Sequence, residues 1–137
     1  MKVFIDTNVL LDFMCQRAPF YKEVYAIFRK AALHEIDIVV SALTIVNTQY
    51  TARKYGLSSE DVCSAIRNIL TLISVSPIDG EMVKQAYSMP DKDKEDVLQF
   101  LSARSVDADI IVSRDKKGFL NSPVPVFTPQ EYLVREP

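Results

Sequence analysis

The chain has no tryptophan, one histidine (His34) and two cysteines, Cys15 and Cys63, which lie far apart with no CxxC spacing. That shortage excludes a zinc site of the Cys/His type, and the two cysteines read as structural thiols. Only three glycines are present and no GxGxxG follows the first apolar run, so a dinucleotide-binding domain is a poor fit. Basic residues are not in excess. The formal charge is −2, which gives no electrostatic footprint for nucleic acid, and any such binding must rest on local groups. No apolar run approaches the ~20 residues of a membrane span. Asp6 and Asp12 interrupt the first apolar stretch, so the pattern of a secretory leader is missing. A cytoplasmic protein with no membrane association is expected.

What is present is the composition of an ordinary globular protein, 48% hydrophobic and 25% charged over 137 residues. This length fits a single domain spanning residues 1–137. Apolar runs of strand length alternate with segments of helical period, the pattern of an α/β domain with a parallel sheet. Strands are expected at Val3–Ile5, Ile36–Val40, Leu72–Val75 and residues 109–113 ("DIIVS"), with a short edge strand at 124–127 ("VPVF") that tolerates Pro125. Helices are expected after Asn8, over Phe20–Leu33, from Ser41 to about Tyr55 with Gly56 as terminator, and from the capping box at Ser58–Asp61. Others are expected over Gly80–Ser88, Lys94–Val106 and, behind Thr128 and Pro129, at 128–133.

Ligands of open α/β sheets bind beyond the carboxyl ends of the strands. Asp6 stands at the end of the first strand and Asp115 just beyond the fourth. Asn47 falls in the second turn of the helix that leaves the second strand, and Asp93, Glu95 and Asp96 open the helix before the fourth. Acids gathered at one rim repel each other unless a cation or protons neutralise them. Oxygen donors without His or Cys suit Mg²⁺ or Mn²⁺. Each residue also has a plainer reading. Asp6 or Thr7 equally fits a helix cap, the 93–96 acids a helix start, Asp115 a turn in "SRDKKG", and Asn47 an ordinary polar helix position. The coincidence of position favours a common site.

In order and spacing, "FIDTNVLLDF", "VVSALTIVN", "KEDVLQFLSA" and "ADIIVSRDKKGF" resemble the motifs of PIN domains, metal-dependent ribonuclease domains that include the toxins of many bacterial toxin–antitoxin pairs. The resemblance implies a three-layer sandwich with a central parallel sheet of about five strands flanked by helices. It implies a Mg²⁺- or Mn²⁺-dependent endoribonuclease in which Asp6, Asp96 and Asp115 are catalytic and hold the metal. Thr7, Asn8 and Ser113 match positions that support these acids. An RNA substrate, an antitoxin protein and a homodimer are the implied partners.

The family's usual fourth ligand is a glutamate six residues after the serine of the second strand, and here that position is Asn47. An amide carbonyl still coordinates a hard cation, so Asn47 counts as a metal ligand, but one negative charge is lost. A charge pair at 4 Å is worth ~4 kcal/mol at an effective dielectric near 20. One ion is therefore expected to bind well and a second weakly, with Asp93 as an outer-shell substitute. Arg114, Lys116 and Lys117 would steer an RNA backbone, or form a solvated turn. The alternative function is a catalytically weakened PIN-like module that binds RNA or a protein. A receiver domain would need an acidic pair after its first strand and a haloacid-type phosphatase a DxD, and "DTN" offers neither.

Overall fold

The computed structural model describes residues 1–135. Strand β1 (Lys2–Ile5) leads into helices α1 (Thr7–Met14) and α2 (Tyr21–Ala32), and β2 (Asp37–Ser41) into α3 (Ala42–Ala52) and α4 (Ser59–Ile69). Strand β3 (Ser74–Ser76) is followed by α5 (Gly80–Ser88) and α6 (Lys94–Ser105). Strand β4 (Ile110–Val112), β5 (Val126–Phe127) and α7 (Pro129–Arg135) complete the order. Among the described residues the five strands form one sheet in the order β3-β2-β1-β4-β5, with every neighbouring pair parallel. The expected α/β class and its parallel sheet are present.

The period-2 alternation of the strands divides the interior into two layers. Val3 and Ile5, with Ile38, Val40, Ile110 and Val112, face one way and pack against Val9 and Leu10 of α1 and Val24, Ile27 and Phe28 of α2. Phe4, Val39 and Ile111 face the other way, against Val97, Phe100 and Leu101 of α6 and Ala86 of α5. A smaller cluster, Leu11, Ala52, Val62 and Ile66, joins α1, α3 and α4.

Several element ends differ from the sequence expectation, each for a local reason. The third strand starts at Ser74, not Leu72, because the amides of Leu72 and Ile73 bond back to the Ile69 carbonyl and extend the exit of α4. The helix expected to reach Tyr55 changes at Ala52 into a 3₁₀ turn, Arg53–Tyr55, which Gly56 ends at φ +87°. The fourth strand spans only three residues, although Asp109 N–H still bonds Lys2 and Ser113 N–H bonds Phe127. The edge strand is shortened to Val126–Phe127. Thr128 and Glu131 satisfy each other's backbone amides in a capping box at the start of α7.

Phe4 is fully buried where the sheet meets α6. Phe4→Ala is expected to cost about 3–5 kcal/mol, measured as a lower urea midpoint with an unchanged m-value.

Candidate functional site

The chain reverses its direction of travel across the sheet at β1. Strands β2 and β3 lie on one side of it and β4 and β5 on the other, so β1 and β4 are neighbours whose following loops diverge. This is the switch point at which open α/β sheets form a crevice.

Asp6 stands there. Its N–H continues the ladder to Val112 O at 3.0 Å, and its side chain caps α1, with Oδ1 accepting Thr7 N–H at 2.8 Å. Gln99 Nε2 donates to the same oxygen at 3.3 Å, while Oδ2 accepts the Ser113 hydroxyl at 2.8 Å and Asn8 Nδ2 at 3.4 Å. Asp6 as a whole is only 6% exposed. Burial raises its pKa above the usual carboxylate range. The bonds from Ser113, Thr7 and Gln99 oppose that shift, and the charge of Asp115 adds to it. Thr7, Asn8 and Ser113 thus all touch Asp6 or its surroundings, and Asn8 Oδ1 also accepts the Arg114 amide at 3.4 Å.

Gln99, fully buried, was not singled out by the sequence reading. Its Nε2 donates to Thr44 Oγ1 at 2.7 Å and to Thr7 Oγ1 at 3.2 Å, and its Oε1 accepts a short bond from Ser41. One side chain therefore links Asp6 to the start of α3. A lone glutamine in "VLQFLSA" looks like a solvent-facing helix residue; its signal was the apolar run on either side, since α6 is buried on most of its circumference.

Asp93 caps α6 by accepting Asp96 N–H at 3.1 Å. Asp96 is half-buried, and its carboxyl pKa is pushed up to about 7, first by burial and then by the charges of Asp6, Asp93 and Asp115. Its carboxylate lies over Gly118, where a Cβ would collide with it. Asp115 is exposed and caps the 3₁₀ turn Lys116–Phe119, accepting Lys117 N–H at 3.2 Å. A cavity of about 360 Å³ between this turn and the start of α6 is lined by Asp93, Asp96, Asp115, Lys117 and Gly118.

Asn47 projects from α3 to α6, where its Nδ2 donates to Glu95 Oε1 at 2.9 Å. Its recorded partner is thus Glu95 and not one of the three aspartates. Burial raises the pKa of Glu95, and the charges of Asp6 and Asp93 raise it further. Asp96 feels the charges of Asp6 and Asp115, and Asp6 that of Asp115. Even so, among the described residues no three His, Cys, Asp or Glu side chains form a ready-made cation cage. The donors are nonetheless all hard oxygens, and their mutual repulsion is of the sign that a divalent cation relieves.

Of the three basic residues, Arg114 is held by fully buried Asp12 (2.6 and 3.3 Å) and lies over the Phe20 ring at 3.8 Å; Asp12 also pairs with Arg17. Lys116 pairs with Glu131 at 3.0 Å. Lys117 makes no ion pair among the described residues and borders the acidic cavity.

A family model described as the PIN domain matches residues 2–117. The chain belongs to the PIN domain family. This PIN domain is 26% identical over 139 aligned residues to Ribonuclease VapC1 of Aquifex aeolicus (strain VF5), covering 98% of this chain and 94% of the relative. In fold it is similar to the VapBC2 structure from Rickettsia felis bound to a promoter DNA fragment (TM-score 0.66, 16% identity, 93% of this chain and 98% of that one). It is also similar to a toxin–antitoxin complex from Klebsiella pneumoniae (TM-score 0.65, 21% identity, 93% and 97% covered). A third similar structure is VapC20 of Mycobacterium tuberculosis, a toxin that cleaves the sarcin–ricin loop (TM-score 0.66, 14% identity, 85% and 92% covered). No helix of the described residues is long and apolar enough to cross a membrane.

The raised pKa of Asp96 has a definite sign in stability. Between the unfolded value near 4 and the folded value of about 7 the native state binds more protons than the unfolded chain. Its contribution is complete below that window and is lost as pH rises through it. The melting temperature of metal-free protein is expected to fall from pH 5 to pH 8, and Asp96→Asn to flatten the slope; an equal slope in the variant contradicts this origin.

Proposed function

We propose that this PIN domain is a Mg²⁺- or Mn²⁺-dependent endoribonuclease, and that it acts as the toxin of a toxin–antitoxin pair in the cytoplasm. The observation that supports the reading is that Asp6 and Asp115, from two other elements, both raise the proton affinity of Asp96 on α6, while Asp96 and Asp115 line one cavity beside the switch point. Its similarity to a curated ribonuclease along almost the whole chain supports the activity. The toxin–antitoxin assemblies among the similar structures support an antitoxin partner. Homodimerisation is part of the proposal.

Asp6, Asp96 and Asp115 would hold the ion, with Asn47 contributing a carbonyl oxygen from α3. When bound, a divalent ion supplies positive charge that polarises the scissile phosphate and makes water more acidic. Asp6 is the fixed member, since Thr7, Ser113, Gln99 and Asn8 leave its carboxylate one orientation. Asp96 and Asp115 are less enclosed and would complete the site. A carboxylate oxygen of one of these three aspartates, or of Asp93, would accept the proton of the attacking water. Lys117, at the cavity edge, meets the RNA backbone.

Asp6→Asn preserves shape while removing the buried charge. Mn²⁺-dependent cleavage of single-stranded RNA is expected to fall at least 10²–10³-fold, about the scale of losing one group that stabilises transition-state charge, with circular dichroism unchanged. Undiminished cleavage by the purified variant would refute the assignment. Wild-type protein that binds RNA without cutting it in Mn²⁺ would favour the weakened-module reading.

A further inference from the structure

We propose that Glu95 supplies the fourth acidic group of the metal site, from α6, and that Asn47 is the residue that positions it. The inference rests on the metal-dependent reading above and names a ligand which that reading does not include.

Two hydrogen-bonded rungs cross between α3 and α6. In the lower rung Gln99 donates to Thr44 at 2.7 Å, and in the upper rung Asn47 donates to Glu95 at 2.9 Å. Thr44 and Asn47 are three apart on α3, and Glu95 and Gln99 four apart on α6, so each pair is stacked on one face of its helix. The lower rung is in direct contact with the site, because Gln99 also donates to Asp6. The upper rung therefore lies one helical turn, about 5.4 Å, toward the start of α6, in the first turn that also carries Asp96 and is capped by Asp93.

The chemistry of position 47 follows from this register. A carboxylate there would face Glu95 directly, and two like charges at hydrogen-bonding distance repel. An amide instead donates to Glu95 Oε1 and leaves Oε2 without a hydrogen bond among the described residues. The negative charge missing from α3 is present across the gap, held by the residue that replaced it. Asp6, Glu95, Asp96 and Asp115 together carry as much charge as a site with glutamate at position 47. The same polar pair serving only to join two helices would have no bearing on ion affinity.

Calorimetric titration of the metal-stripped, full-length protein with Mn²⁺, alongside RNA cleavage, tests the proposal. Glu95→Gln is isosteric, sits at an exposed position and still accepts from Asn47, so its metal-free melting temperature should not fall below that of the wild type. Its Mn²⁺ affinity is expected to drop at least about tenfold, with cleavage falling in parallel. The exchange variant Asn47→Glu/Glu95→Gln, which moves the charge back to α3, is expected to recover affinity to within about threefold, equivalent to under 1 kcal/mol. Asp96→Asn serves as the reference. If Asp96→Asn weakens Mn²⁺ binding and Glu95→Gln does not, Glu95 is no ligand and the metal-dependent reading survives. Should neither variant change the affinity, the metal site itself is misassigned and the proposal falls with it.

Discussion

A carboxylate almost removed from water governs the rim of this sheet. Taking an ion out of water costs several kcal/mol even after relaxation, so Asp6 persists only where donors surround it. They come from the first turn of α1, from the loop after β4 and from the interior of α6. Three elements distant in sequence are thereby pinned to one atom group. Gln99 extends the constraint to Ser41 and Thr44, so the junction of β2 with α3 is set by the same carboxylate.

Hydrogen bonds orient Asp6 but do not cancel the field it projects. Asp96 stands within that field on a less enclosed part of the chain, and its own partial burial, with the charges of Asp6, Asp93 and Asp115, holds a proton on it up to about pH 7. The rigid member lies deepest and the adjustable members lie outside it.

Much of the fold was legible because strand and helix periods are strong where one face is fully buried, as in "KVFID" and in Val24, Ile27, Phe28 and Ala31 of α2. The ends were less legible. Nothing in "LTLIS" announces that the exit of α4 takes up Leu72 and Ile73 before β3 begins, because both strand and turn would bury Ile73. At the rim, Asp6, Asp96 and Asp115 could be placed from strand ends and helix starts alone. Gln99 could not, since its role depends on which side of α6 meets the sheet. Asn47 stood out as a missing charge, and only the crossing of α3 and α6 reveals the acid opposite it. Asp6 was weighed as cap or ligand; its geometry shows the capping, which engages Oδ1, while Oδ2 is turned to Ser113 and Asn8.

Gly118 shapes the acidic cavity by what it lacks. The volume that its side chain would fill is occupied by the carboxylate of Asp96. Positions 96 and 118 therefore form one unit of information, although a whole strand separates them in the chain. Reading either alone, one sees an acid at a helix start or a glycine in a turn. Read together, the missing carbon marks where a charge is kept.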